Sequence, residues 1–234
     1  MRRVAAIVLA AGSGARVGAS ANKMYLPIAG EPMLVHSARA FAEHPDVDEL
    51  HVVAAAAEVA LCRRTLADAG LSVASVIAGG ATRHASELNA LTALSGRIEA
   101  GEVSLVVIHD GARPLVDAAT IARTIAAARE DGGAIAALPV GRPLATVANG
   151  VVTGRLDAQR VWRAQTPQAF GARSLLDAFR RADADGFQGS DTSSSLERLG
   201  LPVRLVRGDE RNIKVTYPAD LERAEALLSG APRG

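Results

Sequence analysis

Aromatic residues are scarce in this chain of 234 residues: it has one Trp, two Tyr and four Phe. Since 49% of the residues are hydrophobic, a core is affordable, and Ala, Val and Leu must supply most of its packing. Cysteine is nearly absent. Cys62 stands alone, which excludes a disulfide framework and a cysteine-based zinc motif. Its place in a helical stretch reads as a small buried hydrophobe. No window reaches the roughly eighteen apolar residues of a membrane span. Charge of one sign is not in excess either. Lys and Arg number 26 against 25 Asp and Glu, so general attraction to nucleic acid or membrane is not indicated. Two arginines open the chain before an apolar run too short for a signal peptide, so a cytoplasmic protein is expected. The length suits one α/β domain, or one with a small appendage. There are no internal repeats or low-complexity linkers.

The informative stretch is residues 4–26, VAAIVLAAGSGARVGASANKMYL. A short apolar run, Val4 to Leu9, reads as a buried and parallel strand. It breaks into a loop of small residues, Ala10, Ala11, Gly12, Ser13 and Gly14. Such a loop lets backbone amides approach a ligand closely, and successive amides suit anions. Arg16 and Lys23 follow within reach, which points to a triphosphate rather than a single phosphate. A plain tight strand–helix turn would have the same glycines. Dinucleotide binding wants a third glycine where this chain has Val17, and an acid at a later strand end where it has only Glu31 before Pro32. The phosphate-loop signature with Gly-Lys-Ser/Thr is missing.

Strand and helix patterns alternate along the chain. Helix is expected over 33–42, 58–69, 82–94 and 120–130, and strand over 50–55, 72–78, 103–108 and 133–138. That alternation predicts βαβ units and a mostly parallel sheet. The rhythm changes in residues 139–160. Two β-like runs, 144–147 and 151–153, flank Asn149-Gly150, a strong hairpin signal. The hairpin is either an ordinary surface excursion or an arm that grips a second subunit. Residues 162–170 carry no assigned element. Helices follow over 172–184 and within 193–199, then a strand at 203–206 and a helix at 218–228.

Open parallel sheets bind ligands at the carboxyl ends of their strands. Beyond the first loop, three segments have suitable residues there. Gly79 and Gly80 let backbone lie against a flat base, and Ser86 can bond its edge. Asp110, at the end of the most apolar strand, is placed for a magnesium contact; an N-cap or a salt bridge to Arg113 explains it equally well. Lys214 stands in an apolar run, where a lone lysine is commonly just a solvated edge residue.

Taken together, AAGSGARVG with Lys23, the Gly79-Gly80 turn with Arg83 and Ser86, HDGARP at 109–114, AQTPQAF at 164–170 and NIKVTYPADLERAE from Asn212 resemble the methylerythritol phosphate cytidylyltransferase family of the non-mevalonate isoprenoid pathway. The likeness spans nearly the whole chain. It implies a three-layer Rossmann-like nucleotidyltransferase fold over residues 1–234, with a projecting β-arm at 139–160 that joins a homodimer. It implies CTP and a polyol phosphate as substrates, magnesium as cofactor and pyrophosphate as by-product. Methylerythritol phosphate is the first expected acceptor and another polyol phosphate, such as ribitol 5-phosphate, the second. An inactive relative or a nicotinamide-dependent oxidoreductase fits the residues less well. By resemblance, Ala10, Ala11, Gly12, Gly80, Ala81, Ser86 and Gly111 line the nucleotide. Arg16, Lys23 and Lys214 are the catalytic cations. Asp110 holds metal or acceptor, with Arg113, Arg160, Thr166 and Ser190 on the acceptor side. The chain departs from the family at several points. Asn22 replaces a proline before the loop lysine, and Gly111 an alanine. Pro143, Ala145 and Ala158 stand where the arm usually has Thr, Lys and Arg, and Ser190 replaces a threonine. Arg142, Arg155 and Arg160 are the candidates to replace the arm arginine.

Overall fold

The computed structural model describes residues 3–12 and 22–230. The opening apolar run forms β1 (Arg3–Ala10). A 3-10 turn (Lys23–Tyr25) and a two-residue ladder, β2 (Pro27–Ile28) with β3 (Glu31–Pro32), lead into α1 (Met33–Ala42). Then come β4 (Glu49–Ala54), α2 (Val59–Asp68), β5 (Ser75–Ala78) and α3 (Arg83–Glu99). β6 (Val103–Asp110), α4 (Ala118–Asp131) and β7 (Gly133–Pro139) follow. A hairpin of β8 (Leu144–Ala148) and β9 (Val151–Leu156) precedes β10 (Trp162–Gly171). The last elements are α5 (Ala172–Ala184), α6 (Ser193–Glu197), β11 (Arg204–Arg207) and α7 (Pro218–Leu228).

Among the described residues, the main sheet runs β11-β7-β10-β6-β1-β4-β5. β1 pairs in parallel with β4 and β6, β4 with β5, and β11 with β7. β10 runs antiparallel to β6 and β7. Side chains of β1 alternate between two cores, as a period of two requires. Val4, Ala6, Val8 and Ala10 pack in one cluster with Phe41, Leu66, Ile121 and Ala224 from α1, α2, α4 and α7. Ala5 and Ile7 pack in the other with Leu91 from α3 and Leu175 and Phe179 from α5. Helices therefore cover both faces of a mostly parallel sheet, giving the expected three layers. Cys62 is fully buried in the first cluster, and burial, with the nearby Glu58 charge, pushes its thiol up to about 11.

Several elements differ from the sequence expectation. The helix expected to stop at Leu94 runs on to Glu99. Ile98 is buried in the core, and Arg97 reaches Glu49 at 2.8 Å, so packing outweighs the weak helix formers Ser95 and Gly96. The third strand begins at Ser75, where pairing with His51 starts, rather than at residue 72. The last strand is shifted by one residue, because Arg204–Arg207 pair with Ala134–Ala137. Residues 162–171 form a strand in the middle of the sheet. Its pairing is irregular between Ala164 and Gln168, the span that contains Pro167. A proline inside a central strand is tolerated at such an interruption, because no ladder donor is required there.

The hairpin is a separate two-stranded sheet, with Leu144 opposite Leu156 and Ala148 opposite Val151. Asn149 and Gly150 both take positive φ, at 51° and 79°, as a tight hairpin turn demands.

Phe170, fully buried on β10, joins the sheet to the helix layer. Phe170→Ala is expected to lower the free energy of unfolding by about 3–5 kcal/mol, read from urea denaturation.

Candidate active site

Asp110 closes β6 with its side chain buried among cations. Lys214 Nζ lies 2.7 Å from one carboxylate oxygen, Arg83 pairs with the other, and Arg113 stands at 3.9 Å. Burial by itself would raise the carboxyl. Arg83, Lys214 and Arg113 outweigh it and hold Asp110 well below the usual carboxylate range. Of the alternatives open in the sequence, the salt bridge to Arg113 is therefore present, though Lys214 and Arg83 lie closer. Arg83 in turn reaches Glu87 at 3.0 Å. Burial pushes Glu87 up to about 7, against the pull of Arg83 and a 2.8 Å bond from the Thr192 hydroxyl.

A chain of buried hydrogen bonds sets the position of Asp110. Its backbone N–H donates to the Thr166 hydroxyl at 3.0 Å. That hydroxyl donates to His109 Nδ1 at 3.0 Å, because His109 Nε2 must donate to the Arg113 carbonyl at 3.1 Å. Burial drives His109 down to about 4, so the ring is neutral, as this pattern requires. Arg113 donates to the Asn212 carbonyl at 2.7 Å, and Asn212 Nδ2 to the Thr166 carbonyl at 2.7 Å. The loop carrying Lys214 is thereby fastened to β6 and β10. Val215 N–H donates to the Ala112 carbonyl, and Lys23 Nζ to the Val215 carbonyl, both at 2.8 Å. Asn22 caps the turn that carries Lys23: its side chain accepts from Met24 N–H and donates to Glu58.

Two cavities open on these residues. The first, of 490 Å³, is lined by Ala11, Gly12, Gly80, Ala81, Thr82 and Ser86, with Lys23, Arg83, Asp110 and Lys214 among its charged groups. Gly79 lies beside it; a Cβ there would sit 2.5 Å from Ala11 Cβ, so only glycine lets the turn lie against the end of β1. Ser86 organises the same turn, accepting from Gly80 N–H at 3.1 Å and donating to the Thr82 carbonyl at 2.9 Å. The second cavity, of 680 Å³, is strongly basic: Arg113, Arg142, Arg163, Arg207, Arg223 and Lys214 line it.

The expected nucleotide residues thus largely converge. Ala10 is buried behind the first cavity, and Gly111 is packed under it, against the Leu9 carbonyl and Met24. Arg16 lies outside the described residues. On the expected acceptor side, Arg113 reaches the second cavity. Thr166 is 3% exposed, with its hydroxyl committed to the Asp110–His109 chain. Ser190 is exposed beside Ser194 at 3.3 Å and lines neither cavity. Arg155 and Arg160 are exposed on or after the arm and line neither; of the three candidate arginines, Arg142 does. Arg163 and Arg207 had no motif to mark them. Their one sequence signal is a cation at the edge of a strand, which is common on any surface. As for metal, no group of three or more His, Cys, Asp or Glu among the described residues could hold an ion. Among the described residues, Asp110 is the one carboxylate in the wall of the first cavity, a hard oxygen donor of the kind that would hold a magnesium ion carried mainly by substrate phosphates.

A mostly parallel sheet with glycine-walled and cationic cavities at its strand ends defines an α/β protein of the nucleotide-binding class. The chain belongs to the 2-C-methyl-D-erythritol 4-phosphate cytidylyltransferase family, whose profile matches residues 4–230. It is 43% identical over 227 residues to the enzyme of that name from Geobacter metallireducens, covering 96% of this chain and 97% of the relative. Among solved structures, it is similar to 4-diphosphocytidyl-2C-methyl-D-erythritol synthase from Anaerococcus prevotii. The TM-score there is 0.85 at 25% identity, covering 97% of this chain and 96% of that one. The 2-C-methyl-D-erythritol 4-phosphate cytidylyltransferase from Thermus thermophilus matches with a TM-score of 0.74 at 29% identity, covering 97% and 99%. The family confirms the enzyme class and the nucleotidyltransferase fold that the motifs implied.

Two buried groups near the site titrate in opposite senses. Glu87, raised from 4.5 to about 7, binds protons more readily in the folded protein, so its contribution to stability falls as pH rises through that interval. His109, lowered from 6.5 to about 4, binds them less readily, so its contribution rises with pH. Each partly masks the other. Glu87→Gln is expected to lose stability more steeply than the parent as pH falls from about 7 to 4.5, read as urea midpoints. Superimposable profiles would remove Glu87 as a titrating group.

Proposed function

We propose that the chain transfers a cytidylyl group from CTP to 2-C-methyl-D-erythritol 4-phosphate and releases pyrophosphate. Lys214 carries this reading, because it lines both cavities. The first cavity takes the nucleotide, with backbone at Gly80 and Ala81 against the base and Lys23 and Lys214 at the phosphates. The basic cavity takes the acceptor. The attacking oxygen belongs to a phosphate, so nucleophile and electrophile repel one another. Cations at the junction cancel that repulsion and hold the groups in line. They also stabilise charge growing at the α-phosphoryl group, so no covalent enzyme intermediate is required. Arg16, outside the described residues, would add a further cation. Asp110 is the protein carboxylate that would hold a magnesium ion, which would supply charge neutralisation at the triphosphate. Ala10 and Gly111 support the nucleotide cavity from behind. Among the described residues no helix is long and apolar enough to cross a membrane, and we assign the enzyme to the cytoplasm, where its phosphorylated substrates are free small molecules.

The arm supports a homodimer. Val147, Val151, Val152 and Leu156 are 47–66% exposed on a two-stranded hairpin, and an isolated hairpin is marginal in water. A second copy of the chain would cover these side chains.

The purified chain is expected to release pyrophosphate from CTP with methylerythritol phosphate. Turnover only with another polyol phosphate, such as ribitol 5-phosphate, would overturn the acceptor. Lys23→Ala and Lys214→Ala should each cut turnover about ten- to a hundred-fold, the worth of a charge-assisted contact of roughly 1.5–3 kcal/mol. Near-normal rates in a folded variant would remove that lysine from the mechanism.

A second prediction concerns the arm. Replacing residues 144–156 by a short turn should give a monomer in sedimentation that still binds CTP, since no arm residue lines the nucleotide cavity. A truncated protein that stayed dimeric would refute the arm's role.

A further inference from the structure

Residue 87 is a carboxylate where the packing of α3 suits an apolar side chain. Leu91, Leu94 and Ile98 follow it by four, seven and eleven residues, so all four share one face of the helix, and those three are buried in the second core cluster. Glu87 itself is 1% exposed. Burial is the largest influence on its carboxyl and pushes it up to about 7, so an ionised group here carries a cost that a leucine would not. A local rule broken in this way marks a residue kept for a purpose other than packing.

What Glu87 touches is Arg83. Its Oε1 lies 3.0 Å from Arg83 Nε, a contact of opposite charges without hydrogen-bond alignment. A terminal nitrogen of the same guanidinium pairs with Asp110. The Thr192 hydroxyl, just before α6, donates to Glu87 Oε1 at 2.8 Å and fixes it in turn. A line of contacts thus runs from Thr192 through Glu87 and Arg83 to Asp110, joining the α6 region to the end of β6. Burial by itself would lower the Arg83 guanidinium, and Asp110, Glu87 and Asp191 outweigh it and raise it. Asp191 accepts from Ser193, Ser194 and Gln168, so among the described residues Asp110 and Glu87 are the two acids that pair with Arg83.

An arginine has several freely turning bonds, and an ion pair at its tip alone leaves the rest of the side chain free to swing. A second anchor at Nε removes that freedom. Arg83 lines the first cavity and not the second, whereas Glu87 lines neither. We propose that Glu87 is a positioning residue for the transfer reaction, holding Arg83 against Asp110 so that the nucleotide side of the site is set before CTP binds. This rests on the reading that the first cavity takes CTP. The effect of Glu87 falls on CTP and not on the acceptor, because it acts through Arg83.

The test uses the full-length protein with Glu87→Gln, which keeps the shape and the acceptor for Thr192 but loses the charge. The measurements are made at about pH 8, above the interval in which Glu87 titrates. Steady-state pyrophosphate release should show the CTP KM raised about tenfold, as loss of one charge contact implies, with the acceptor KM within about twofold of the parent. Arg83→Ala should raise the CTP KM at least as far, and adding Glu87→Gln to it should raise it no further, since both act through one group. A crystal structure of Glu87→Gln should show Arg83 turned away from Asp110. An unchanged CTP KM, an equal rise for both substrates or additive effects in the double variant overturns the proposal. So does a lowered melting temperature with unchanged KM, which leaves Glu87 a structural part only. A parent protein that consumes no CTP overturns the function assigned above instead. In that event the crystal structure still decides: Arg83 displaced in Glu87→Gln supports the positioning role, and Arg83 unmoved refutes it.

Discussion

The site depends on one buried carboxylate. Asp110 ends a strand with no solvent to shield it, and three cations from three separate segments converge on it. Arg83 comes from the start of α3, Arg113 from the loop after β6, and Lys214 from the loop before α7. An uncompensated buried charge would be strongly destabilising, so each partner holds the others in place. The result is a set of cations fixed before any phosphate arrives. A phosphorylated ligand then meets groups that need little reordering, which is how positioning lowers a barrier.

The second constraint is the antiparallel strand in the middle of the sheet. β10 interrupts an otherwise parallel order and brings Thr166 next to Asp110 and His109. Its hydroxyl, the neutral imidazole, the Arg113 carbonyl and the Asn212 side chain form a continuous buried path from the sheet to the Lys214 loop. Most of these polar groups bond one another, which makes the path stiff, while Asn212 Oδ1 is buried with no hydrogen-bond partner among the described residues. It also accounts for what AQTPQAF does here. Gln165, Thr166 and Gln168 are buried, and their hydrogen bonds go to the Lys214 loop, to β6 and to the α6 region.

The departures from the family pattern have local causes that the structure makes plain. Asn22 takes the place of a proline and caps the turn under Lys23. Gly111 lies 2.9 Å below the Leu9 carbonyl as a hydrogen-bond donor, and a Cβ there would press on the end of the flexible Met24 side chain. The arm keeps its turn geometry and its apolar strands although its usual polar residues are gone.

The sequence by itself determined the alternation of strands and helices, the hairpin about Asn149-Gly150 and the glycine turns. Each of these follows from local physics: periodic burial, positive φ and close backbone approach act between residues near in the chain. It also marked Lys23, Asp110 and Lys214, because each lies in a distinctive short motif. What it left open was set by contacts between distant segments. The strand at 162–171 has a proline and three buried polar residues, and becomes central only because β6 and β7 lie on either side of it. α3 runs past Gly96 because Ile98 finds the core. Arg163 looks like any surface arginine in the sequence, and only the packing of β7 and the Lys214 loop places it, still exposed, at the wall of the basic cavity. Which carboxylate each paired arginine meets is a property of the packed chain, since charge interactions depend on distance and burial rather than on order along the sequence.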